Sequence, residues 1–224
     1  APARSSFRLG FLAGLVQWLC SLSWLLSLAR TGGPWPLVVT GWLSLAAYCA
    51  LYVGAFAANV SMLFDLAEGD EKQAWALAPP TFMTGLGMLV AIPAVWIGIE
   101  YLRSTLFTGY PWNALGVSQF RQPLLIQGAA WGGVYAVSGI LVLANVTALL
   151  FLCRMASVFK RVAQPRVRPD LWLGVIVIAV YAMAGASALR LAVAEQEHAP
   201  KIRIAAIQPC VPQLKKWPPE FARE

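Results

Sequence analysis

The sequence predicts an all-α polytopic membrane helical bundle with about five spans, followed by the start of a separate water-facing domain. Two observations carry this. Apolar residues make up 59% of the 224 and charged residues only 12%, with a mean hydropathy of +0.65. A soluble domain usually holds about 45–50% apolar and about 25% charged residues, so too few polar side chains remain to coat a surface in water. In addition, the apolar runs are long and nearly free of charge, and Gly/Pro breaks or polar loops separate them.

The spans follow in order. The first covers about 9–29, and its Gly10 and Gly14 form a GxxxG face that lets another helix come close. The Thr31-Gly32-Gly33-Pro34-Trp35-Pro36 break ends it. The second covers about 37–64, long enough to cross the roughly 30 Å hydrocarbon core with tilt. A polar stretch from Asp65 to Pro80 leads to the third, about 81–101, with a kink expected at Pro93. The segment Leu102 to Ala130 is rich in Gly, Pro, Gln and aromatics. The fourth span, about 131–153, carries a small-residue face of Gly128, Gly132 and Ala136, and the fifth covers about 171–191. Residues 1–194 thus form the transmembrane domain, and 195–224 form a linker and the start of the external one.

Charge placement sets the orientation. Arg154, Lys160, Arg161, Arg166 and Arg168 crowd the 154–170 loop, which is therefore expected in the cytoplasm. Counting back puts the N-terminus inside, with Arg4 and Arg8 agreeing, and everything after the fifth span outside. The net charge of +7 sits in short loops and not along one stripe, which argues against nucleic acid. The four cysteines show no CxxC pair or His partner at metal spacing, so no metal site or cofactor is expected. His198 reads as a solvated linker residue. The span centres lack ionisable residues, which argues against a small transporter.

Two constellations could carry function. Glu100 stands near the outer end of the third span, where a carboxylate is costly unless paired or wet, and Arg103 is within reach one turn on. Tyr110 and Trp112 follow in Phe107-Thr108-Gly109-Tyr110-Pro111-Trp112-Asn113. One reading makes the charges an ion pair capping the span and the aromatics interface anchors. The other makes this re-entrant, polar stretch part of a lipid-headgroup site beneath an external domain. The second constellation is Pro212-Gln213-Leu214-Lys215-Lys216-Trp217, which follows a β-like run, Ile202 to Gln208. It reads either as a solvated basic turn or as a loop over a membrane-level pocket with Trp217 packed on an acyl chain.

These residues give the chain a specific resemblance. Phe7-Arg8-Leu9-Gly10-Phe11-Leu12-Ala13-Gly14, Glu100-Tyr101-Leu102-Arg103, Leu106-Phe107-Thr108-Gly109-Tyr110-Pro111-Trp112, Gly116-x-Ser118-Gln119, Gly132-Gly133-Val134-Tyr135 and Pro212-Gln213-x-x-Lys216-Trp217 follow one another in matching order and spacing. In them the chain resembles the apolipoprotein N-acyltransferase family, integral membrane enzymes of the bacterial inner membrane with an external nitrilase-like domain.

The resemblance implies the following. The family has eight spans, seven before the nitrilase-like insert, so two more spans are expected upstream. Its catalytic Glu–Lys–Cys triad is expected beyond Glu224, so residues 1–224 alone should be inactive. Cys accepts an acyl chain from a phospholipid as a thioester, Glu is the general base and Lys supports the oxyanion. The acyl group then passes to the N-terminal amine of a diacylglyceryl-cysteine lipoprotein. Cys210 ends the first strand outside the family's nucleophile motif and is not assigned that role. Trp217 matches a tryptophan near the family's active site. With Lys216, Tyr110, Trp112, Glu100 and Arg103 it makes up the candidate substrate-binding set. The implied partners are a phospholipid donor, an apolipoprotein acceptor and membrane lipids, with the enzyme a monomer. An alternative role for such a scaffold is a non-catalytic membrane anchor for a polyprenyl-phosphate glycosyltransferase.

Overall fold

The structure is a computed structural model describing residues 3–68, 81–159, 169–198, 200 and 204–208. It is a helical bundle: α1 (Ala3–Ser21), α2 (Trp35–Glu68), α3 (Phe82–Thr105), the short α4 (Pro123–Ile126), α5 (Ala129–Phe159) and α6 (Pro169–His198). Four of these, α2, α3, α5 and α6, are long and apolar enough to cross a membrane. The total reaches five if α1 and the 3-10 segment Ser23–Thr31 form one bent span.

That bend departs from the single continuous first span expected over 9–29. At Leu22 the backbone leaves α-geometry (φ −95°, ψ 6°), and the next bond runs from the Leu25 N–H to the Leu22 carbonyl. The tighter i→i+3 winding turns the chain by about 40°. Gly32, at φ +100°, then closes the segment in the left-handed conformation that glycine adopts without steric cost.

Alpha1 and α2 pack closely because small residues meet. A Cβ on Gly10 would lie 2.5 Å from Ala57 Cβ, and one on Gly14 would lie 2.8 Å from Val53 Cβ. Between lipid-exposed helices such close approach replaces the hydrophobic drive that water would supply. The central packing unit joins α3 and α5 through Met88, Leu89, Ile92, Val142, Val146 and Leu150, with Phe56, Val60 and Phe64 of α2 against it. Alpha3 passes through the buried Pro93 as one helix.

Gly132 does not act as a notch on a continuous helix face. Gly132 (φ −151°, ψ 26°) and Gly133 (φ 61°, ψ −159°) break the first turn of α5, and glycine makes that break permissible. Gly128 instead lies against the Tyr181 ring and hydroxyl, and that hydroxyl donates to the Leu125 carbonyl at 2.8 Å, tying α4 to α6. In the expected first strand, Ile204–Gln208 is exposed and belongs to no helix or strand; among the described residues there is no strand to pair with it.

Candidate functional site at the loop end of the third helix

After Thr105 the helix carbonyls need donors, and the chain supplies them by folding back. The Leu106 N–H bonds to Leu102 O, and the Tyr110 N–H returns to Arg103 O at 2.8 Å. Gly109 makes this reversal possible: its φ is +78°, and a Cβ there would collide with the Ser104 carbonyl. Phe107 and Thr108 also take positive φ, so the whole turn is held by its surroundings and not by local preference.

The two charges of the α3 terminus hold the loop. Arg103 is 5% exposed, and its Nη1 donates to Tyr110 O at 2.7 Å and Trp112 O at 2.8 Å. Glu100 is 4% exposed, and its Oε1 accepts the Leu115 N–H at 2.8 Å. The expectation of a pair capping the span by mutual contact is therefore replaced by something more specific. Each buried charge takes backbone groups of the 110–115 segment as partners, and charge-assisted bonds of this kind are what make burial tolerable. The Gly116 N–H adds a bond to Ser138 Oγ of α5 at 2.8 Å, Tyr48 of α2 donates to Leu106 O at 3.2 Å, and Asn113 Nδ2 donates to Ser21 Oγ. Four helices thus converge on one loop.

Aromatic rings complete the cluster. Tyr110 meets Trp18 edge-on at 6.1 Å, Trp112 stacks on Trp24 at 5.3 Å, and the Arg103 guanidinium lies 5.0 Å over the Trp18 ring. Burial, and secondarily Cys49, pushes the Tyr110 hydroxyl above its ordinary value against the pull of Arg103, so it stays neutral at physiological pH. Trp112 remains 56% exposed at the rim. Below the loop lies a cavity of about 160 Å³ lined by Trp18, Cys49, Trp96, Glu100, Arg103 and Ser118, among others.

Four residues of the expected substrate-binding set, Glu100, Arg103, Tyr110 and Trp112, therefore meet in one place. Lys216 and Trp217 lie outside the described residues. Sequence reasoning missed Trp18, Trp24, Cys49 and Ser138, whose links to the loop span dozens of residues. The one available signal was a tryptophan pair (Trp18, Trp24) near the end of the first apolar run. Chemically, the site is built to hold and orient, since the Arg103 guanidinium and one oxygen of the Glu100 side chain bond to the loop backbone. Among the described residues no group of three or more His, Cys, Asp or Glu is placed to hold a metal ion.

Comparison with known proteins agrees with this architecture. Residues 1–147 match the family model of the apolipoprotein N-acyltransferase N-terminal domain. The apolipoprotein N-acyltransferase of Geobacter metallireducens is 32% identical across 99% of this chain and 38% of its own length. Those of Rhizobium rhizogenes and Chromobacterium violaceum are each 30% identical, covering 92% and 97% of this chain and 41% and 37% of their own lengths. The chain thus spans roughly two fifths of these relatives. With the matched domain covering its first 147 residues, the chain is a multi-pass bacterial membrane protein that belongs to the apolipoprotein N-acyltransferase family.

Proposed function

We propose that the full-length protein transfers a fatty acyl chain from a phospholipid to the N-terminal amine of diacylglyceryl-cysteine lipoproteins. The observation that carries this reading is the family match over residues 1–147, joined to relatives named for that activity. The residues described here supply the membrane part. Their role is to anchor the enzyme in the inner membrane, admit both lipids sideways between helices and place them under an external nitrilase-like domain that bears the Glu–Lys–Cys triad. Acylation of Cys would form a thioester and release the lyso-phospholipid; attack by the lipoprotein amine would release the thiolate.

Within this reading the loop latched by Glu100 and Arg103 forms the floor of the substrate site. Tyr110 and Trp112 stand at headgroup depth, where amphipathic rings are favoured. Lys216 and Trp217 are proposed to act on the same lipid, the cation on its phosphate and the indole on its acyl chain.

The test uses the full-length protein in phospholipid micelles with a diacylglyceryl lipopeptide. The expected product is a lipopeptide heavier by one acyl chain, with an acyl-enzyme trapped in the absence of acceptor. Trp217→Ala should insert normally yet slow the reaction about thirtyfold, the effect of about 2 kcal/mol of lost aromatic contact. A correctly inserted protein that leaves the lipopeptide unmodified would overturn the proposal. Orientation is checked separately. In intact cells a cysteine at Gln122 should react with an impermeant thiol reagent, and one at Gln164 should not; the reverse pattern would place the loop site on the wrong side.

A further inference from the structure

Among the described residues, three buried side-chain polar atoms find no hydrogen-bond partner within the protein: Trp18 Nε1, Trp96 Nε1 and Glu100 Oε2. All three residues line the same cavity of about 160 Å³, together with the polar side chains of Gln17, Asn113 and Ser118. Glu100 and Trp18 are only 4% and 3% exposed, and buried polar atoms in folded proteins almost always find partners.

The chemistry of the three atoms restricts what can satisfy them. An indole N–H only donates, and an ionised carboxylate oxygen only accepts. A cation would leave both indoles unmatched and would meet Arg103, whose guanidinium already lies over the Trp18 ring. An anion would meet the Glu100 carboxylate. A hydroxyl serves both kinds of partner, since it accepts from N–H and donates to carboxylate. The space holds more than one water, whose share of liquid volume is about 30 Å³.

A second feature widens the choice of hydroxyl. Trp96 and Leu115 also wall an apolar groove of about 310 Å³ that continues between Phe56, Val60, Ile92 and Val146. An acyl chain in that groove would bring a lipid's glycerol hydroxyl to the cavity beside Trp96.

We infer that this cavity is a hydroxyl-binding site in which the ligand accepts from the Trp18 and Trp96 indoles and donates to Glu100. The ligand is either water or the hydroxyl of a glycerol lipid headgroup. The cavity lies beneath the loop of the proposed substrate site and shares Glu100 with it, so the inference deepens that reading, but its occupancy is read without acyl transfer and needs no residue of an external domain.

The test is solution NMR of the full-length protein with ¹⁵N-labelled indoles, in nanodiscs of chain-deuterated phosphatidylethanolamine or phosphatidylglycerol. Trp18→Phe and Trp96→Phe assign the two resonances. If water is the ligand, both indole protons exchange magnetisation with water in either lipid. If the lipid hydroxyl is the ligand, both show contacts to glycerol headgroup protons, in phosphatidylglycerol only. In either case Glu100→Gln, which alters the shared partner, shifts both resonances. The inference is overturned if neither indole contacts water or glycerol protons in either lipid, if the contacts are to ethanolamine protons, or if Glu100→Gln moves neither signal.

Discussion

The loop end of α3 and its middle are held by opposite means. At the middle, Met88, Leu89 and Ile92 meet Val142, Val146 and Leu150 with apolar contacts alone. Lipid tails are as apolar as these side chains, so the contact gains only packing, and many alternative side chains would serve. At the loop end, Arg103, Glu100 and Ser138 hold specific backbone groups of the 110–116 segment. There the alternative is an unpaired group away from water, which is costly. The difference teaches that the middle sets how closely the helices sit, whereas the loop end determines which conformation the loop adopts.

The largest effect should come from cutting the latch. Arg103→Leu strands the Tyr110 and Trp112 carbonyls. A loss of about 3 kcal/mol is expected, read as the unfolding midpoint of the purified protein in graded denaturant. Gly109→Ala strikes the same turn through its backbone. The positive φ and the collision with the Ser104 carbonyl should cost about 2 kcal/mol in the same measurement, and would also open the loop to protease. The smallest effect is expected at the middle. Val146→Ala removes packing alone and should cost about 1 kcal/mol. Equal losses at Arg103 and Val146 would erase the contrast between the two regions.

Much of this architecture was legible in the sequence. Long apolar runs cannot be coated in water, so the helices had to follow. Gly10 and Gly14 marked the close face of α1 correctly, because a missing Cβ acts the same way wherever the partner comes from. Glu100, Arg103, Tyr110 and Trp112, singled out because charge and aromatics at a span end are unusual enough to read locally, do meet in one cluster. Their partners were not legible. Arg103 and Glu100 stand one turn apart and suggested each other, but burial with loop carbonyls and amides nearby favours backbone bonds that no spacing rule encodes. The stacking of Trp24 on Trp112 joins residues far apart in the chain. The bend at Leu22 is a choice between two helical windings of similar energy, and composition does not separate them.

Under the proposed function the loop end serves lipid chemistry while the middle serves only packing. The most direct test compares Arg103→Lys with Val146→Ala in the full-length protein, measuring lipopeptide acylation and thermal midpoint side by side. Lysine keeps the charge but cannot reproduce the guanidinium's planar, multi-donor geometry, so the Tyr110–Trp112 turn should lose its shape. The expected result is at least a tenfold loss of acyl transfer for Arg103→Lys, with near-normal transfer for Val146→Ala at a comparable midpoint. Acyl transfer that falls only in proportion to stability in both variants, or that stays normal in Arg103→Lys, would contradict the claim.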